Sequence, residues 1–90
     1  MKLLFCNKCH DVFRLDRDAR KCHCGAVGGK YVNDLNAEYY GEDAIALGFA
    51  NNSFVEAVCN QPQSGMGERF TAFVIPRECD TIKKVNKESL

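Results

Sequence analysis

The sequence lacks any apolar run approaching the roughly 20 residues of a membrane span; stretches such as Leu3–Cys6 and Ala72–Ile75 soon meet charge or proline. A transmembrane segment is therefore not expected. Net charge is also missing, with 12 Lys and Arg against 12 Asp and Glu. That balance excludes the strongly basic footprint of a protein built to hold nucleic acid. No internal repeat or low-complexity tract is present, which removes solenoids and flexible linkers from consideration. The opening Met1–Cys6 offers three apolar residues before Cys6, too few for the h-region of a signal peptide or a lipoprotein signal. The expected compartment is the reducing cytoplasm. Gly65-Met66-Gly67 has neither the lysine nor the serine or threonine of a nucleotide-binding loop. Disorder is excluded by composition, since 46% of residues are hydrophobic and 27% charged.

What the chain does have is cysteine. Cys6-Asn7-Lys8-Cys9 and Cys22-His23-Cys24-Gly25 are two close pairs separated by twelve residues. Four thiols so spaced reach the corners of a tetrahedron, the geometry of a structural zinc ion. Ninety residues give a small core that a metal staple would support. In a reducing compartment such pairs favour metal over disulfides. Gly25 fits a knuckle that needs a positive φ, and His10 holds the equivalent place after Cys9. His10 or His23 is an alternative ligand should the tight second pair fail to close. Cys6, Cys9, Cys22 and Cys24 resemble the four-cysteine zinc-ribbon family over the first third of the chain, with a C-x-C second knuckle where that family has C-x-x-C. The resemblance implies one structural zinc in a closed four-sulfur site with no position for substrate. Iron in that cage would make a rubredoxin-like electron carrier, but the paired C-x-x-C-G knuckles of that family are not matched.

Alternation and turn chemistry predict the elements. Lys2–Phe5 and Asp11–Asp16 read as strands, the latter with Val12, Arg14 and Asp16 on one face and Phe13 and Leu15 on the other, and Arg17–Lys21 as a charged turn. Gly28-Gly29 marks a turn out of the ribbon. Residues 30–40 read as one strand, paired in a hairpin with residues 44–50, where Ile45, Leu47 and Phe49 form the apolar face. Ser53 and Glu56 suggest a capping box opening a short helix that ends before Pro62. Residues 69–75 are apolar on both faces and predict a buried central strand, followed by a tail with a turn over residues 80–85. The expected class is α+β: a small zinc-ribbon hairpin, residues 1–29, packed on a ββαβ unit with an antiparallel sheet, residues 30–90, in one compact body.

Cys59 and Cys79 lie outside the cluster, and no base can be assigned to either because both histidines belong to the ribbon. Cys59 is expected on the inner face of the helix. An enzyme therefore has no supporting constellation. Charge is uneven: residues 1–30 carry a balance of +4 and residues 31–58 one of −5. Arg14, Arg17, Arg20, Lys21 and Lys30 form a basic candidate surface for single-stranded nucleic acid, with Phe13 interleaved. Glu38 with Tyr31, Tyr39 and Tyr40 lies in an acidic, tyrosine-bearing stretch that suits a protein partner. The resulting expectation is a non-enzymatic zinc-ribbon adaptor or small regulatory protein, of a size and charge that fit bacterial or phage origin. It binds a protein foremost, with nucleic acid as the alternative.

Overall fold

The structure, a computed structural model, describes residues 1–90. Eight short strands run β1 Lys2–Cys6, β2 Val12–Arg14, β3 Arg20–Lys21, β4 Gly28–Tyr31, β5 Ala37–Tyr40, β6 Ala44–Phe49, β7 Ala72–Val74 and β8 Ile82–Lys84. One α-helix, α1 Asn51–Cys59, lies between β6 and β7. The class is α+β. The first sheet has the order β2-β1-β6-β7 and the second β3-β4-β5-β8. All pairings are antiparallel except β5 with β8.

Register explains the core. Leu4 lies opposite Phe13 on one side and Ala46 on the other, so these three share a face of the first sheet. In the second sheet Ala37 lies between Tyr31 and Ile82. The two faces meet in one hydrophobic cluster holding Leu4, Phe13, Ala46, Ala37 and Ile82, with Leu15 and Val27. Gly29 is required there: a Cβ on it would stand 2.7 Å from the Glu38 carbonyl oxygen and 3.0 Å from Leu4 Cδ1. Beyond the core, residues 58–74 are exposed throughout. α1 is held by an aromatic trio, Phe49, Phe54 and Phe70, with ring centroids 4.9–5.3 Å apart. The molecule measures 46 × 26 × 23 Å, with a radius of gyration of 14.3 Å, against about 12 Å for a compact chain of this length.

Several expected elements differ. Gly28-Gly29 does not leave a ribbon but begins β4, and residues 30–40 are two strands joined by a turn in which Asn33 Oδ1 accepts from the Leu35 and Asn36 amides at 2.9 and 2.8 Å. β5 and β6 do not form a hairpin, because Gly41 at φ 113° sends the chain from one sheet into the other. In β6 the small residues Ala46 and Gly48 face inward, and the Ile45, Leu47 and Phe49 side is the less buried one. The strand at residues 69–75 is the short β7, exposed and at an edge, with only Ile75 beyond it buried. Ser53 does not cap α1; its hydroxyl donates to the Ala50 carbonyl at 2.9 Å and accepts from the Thr71 amide at 2.9 Å. Cys59 is exposed, with Ala57 the buried residue of the helix. The tail turn is the strand β8, secured by Ile82.

Candidate metal centre

Cys6 ends β1, and the turn into β2 carries Cys9. Cys22 and Cys24 lie in the turn between β3 and β4. Each turn thus projects two thiols, the first pair from the first sheet and the second pair from the second. Local backbone closes both. The His10 amide donates to the Cys6 carbonyl at 2.7 Å, with His10 at φ 64°, and the Gly25 amide donates to the Cys22 carbonyl at 3.1 Å, with Gly25 at φ 80°. Asp11 ties the knuckles together: its carbonyl accepts from the Cys6 amide at 2.9 Å and its Oδ2 from the His23 amide at 2.9 Å. Sequence reasoning passed over Asp11, whose only signal was its place just after the first knuckle.

The four Sγ atoms lie within 4.8 Å of one another. Cys24 Sγ stands 3.7 Å from Cys6 Sγ and 3.6 Å from Cys22 Sγ. A disulfide needs about 2.05 Å. A tetrahedron with zinc–sulfur bonds of about 2.3 Å has edges of about 3.8 Å, close to these separations. The donor set is four soft sulfurs, suited to zinc. The Cys9 amide donates to Cys6 Sγ at 3.4 Å, the kind of contact that stabilises a ligating thiolate. His10 stacks on Phe5 with ring centroids 5.6 Å apart, and neither histidine joins the cluster.

Electrostatics within the cluster are uneven. Burial raises the Cys22 thiol, but the Val27 backbone and the other three thiols hydrogen-bond to it and bring it down to about 6. The Ala26 backbone favours the Cys24 thiolate, but burial and the thiols of Cys22, Cys9 and Cys6 outweigh it and push the group up to about 11. Cys9 is lowered, chiefly by the Asp11 backbone. Four adjacent thiols do not all ionise alone; a divalent cation replaces the protons that separate them. Cys6 and Cys22 are buried and Cys24 is exposed, so the centre sits at the surface with one side open to solvent.

The other candidate residues are dispersed. Arg17 pairs with Asp34, Arg14 Nη2 lies 3.6 Å from Asp16, and Arg20 Nη1 donates to the Arg14 carbonyl at 3.0 Å. Lys21 is exposed on β3. Tyr31 packs against the core, with its hydroxyl accepting from the Lys2 amide at 2.8 Å and Lys2 Nζ over its ring; Tyr39 also packs on the core. Tyr40 lies across Gly28 with Lys87 Nζ 5.7 Å from its ring centroid. Glu38 sits in register between Lys30 and Lys83, and Glu42 accepts from Lys84 Nζ at 2.7 Å, which holds its carboxyl below the usual range. Much of the acidic stretch is therefore matched by cations of neighbouring strands.

The outer face of the first sheet was not anticipated as a surface. Register puts Phe5, Val12 and Ile45 side by side there, with Leu47 and Val74 one rung along. Val12 is 49% exposed, Ile45 36% and Val74 68%. The alternation of residues 44–50 signalled this apolar set but gave no means of telling the inner face from the outer. Comparison with protein-family models, with curated proteins and with solved structures gives no match.

Proposed function

We propose that the chain is a non-enzymatic zinc-ribbon adaptor that binds another protein in the cytoplasm, with one structural zinc held by Cys6, Cys9, Cys22 and Cys24. The sulfur separations of 3.6 and 3.7 Å support the ion. When bound it supplies Lewis-acid charge that neutralises thiolates and links the turns that carry them. One observation carries the partner reading: exposed Val12 and Ile45 flank half-buried Phe5, next in sequence to the metal ligand Cys6, in an apolar row on the outer face of the first sheet. Exposed apolar surface of this kind marks sites of protein association. The acidic strand suits the role less well, because Asp34, Glu38 and Glu42 face Arg17, the Lys30–Lys83 pair and Lys84. Two of the five basic candidates are likewise engaged with carboxylates, Arg14 and Arg17.

The test uses the zinc-loaded chain as bait against host extract with and without nuclease treatment, beside Val12→Lys, Ile45→Lys and an Arg20→Glu/Lys21→Glu double variant. A protein captured by wild type and by the double variant, and lost with either lysine, is the expected result, all variants retaining one zinc. Capture abolished by nuclease, or by the double variant alone, would replace this reading with nucleic-acid binding.

A further inference from the structure

We propose that the free edge of β7 pairs with β7 of a second copy of this chain, joining two first sheets into one eight-stranded sheet across a two-fold axis. β7 is the last strand of its sheet, with β6 on one side and no strand on the other. The Ala50 amide donates to the Thr71 carbonyl at 2.9 Å and the Ile75 amide to the Ala46 carbonyl at 2.8 Å. Alternation in an antiparallel ladder therefore turns the backbone groups of Thr71, Phe73 and Ile75 toward β6 and those of Ala72 and Val74 outward. Outward N–H and C=O groups on an edge are a template for another strand.

β7 is short, three residues, but the other usual protections of an edge are missing. Residues 70–75 hold no lysine, no proline and no charge; Arg69 and Pro76 bound them. Phe73 is 50% exposed and Val74 68%. A two-fold axis at Phe73 sets Ala72 opposite Val74 of the second copy, where both outward pairs of backbone groups meet. The two Phe73 side chains then become a cross-strand aromatic pair, a favourable neighbour in sheets.

Surface area points the same way. The chain exposes 6399 Å², whereas a compact monomer of 10.1 kDa exposes about 5,300 Å². That surplus belongs to the molecule as a whole, and β7 closes the segment 58–74 that is exposed throughout, so a second copy paired at this edge would cover part of it. A net charge of zero places no long-range repulsion between two copies. Together the uncharged free edge, the self-complementary register and the exposure of the whole segment select a second copy as the occupant.

The experiment is sedimentation equilibrium of the zinc-loaded full chain over a range of concentrations, with amide hydrogen exchange at the low and high ends. The expected mass rises to twice that of the single chain, and the Ala72 and Val74 amides slow as it does. Val74→Pro removes one outward donor without touching a bond to β6 and should keep the chain monomeric. Val74→Lys, which leaves the backbone intact, should do the same if the proline variant loses zinc or fold. Val12→Lys, on the opposite edge strand, should dimerise like wild type. A wild-type mass equal to one chain at every concentration overturns the proposal, as does a doubled mass that survives Val74→Lys.

Discussion

At the scale of single residues, neighbours decide what each cysteine does. Cys22 is buried, yet the Val27 backbone and the neighbouring thiols bring its thiol down to about 6, against an ordinary 9.0. A thiol whose folded pKa is depressed contributes stability that is fully present above its unfolded value and is lost as pH falls through the folded one. Zinc retention should follow that sign: the loaded chain holds its ion at neutral pH and releases it on acidification, as protons displace the metal from the thiolates, and metal analysis after dialysis will register the loss. Cys22→Ser and Cys24→Ser should each abolish one-to-one zinc at neutral pH, whereas Cys59→Ser, at an exposed position outside the cluster, should leave stoichiometry unchanged. Gly29 makes a separate prediction. An added methyl would stand 2.7 Å from a backbone oxygen that cannot swing away, so Gly29→Ala should cost about 1–3 kcal/mol in denaturant unfolding.

Elements were legible where a local rule operates and illegible where long-range pairing does. The C-x-x-C and C-x-C spacings are local, and the two knuckles close on amide bonds within four residues, His10 to Cys6 and Gly25 to Cys22. The alternation that puts Phe13 and Leu15 on one face of their strand is local, and both are buried. By contrast, nothing near Phe70 or Phe73 says that their strand stands at an edge, since an apolar alternation looks the same on an edge as in a core. Ala46 and Gly48 look like the outer face of β6 until one sees that the second sheet approaches closely on their side. β8 carried the weakest signal, two lysines after one isoleucine, because its parallel partner β5, paired at a separation of 45 positions, completes it. Its hold on the molecule rests on Ile82, 2% exposed. Ile82→Ala should therefore lower stability by about 2–5 kcal/mol through the cavity it leaves. Hydrogen exchange should show the Val85 amide, which bonds the Tyr39 carbonyl at 2.7 Å, losing protection before the amides of β1 and β6.

For the whole molecule, the position of the four cysteines matters more than their number. Only 15 of 90 residues are buried, a core too small to be secure by apolar contact alone. Cys6 and Cys9 belong to the β1–β2 hairpin of the first sheet, and Cys22 and Cys24 to the β3–β4 hairpin of the second. An ion bound by all four is thus a clip between sheets, and it fastens them at the end remote in sequence from α1. Its removal should release the sheets from each other rather than fray one hairpin. Chelation of the loaded chain should abolish near-ultraviolet dichroism from the core tyrosines Tyr31 and Tyr39, and with it cooperative melting; the lost metal-linked free energy is on the order of 10 kcal/mol. Zinc should restore both signals at one equivalent, and the recovered melting temperature should rise with free zinc, since only the folded chain presents the four sulfurs together. Melting that stays cooperative and unchanged after complete metal removal would show instead that the ten-residue apolar cluster holds the two sheets by itself, and the clip would lose its structural role.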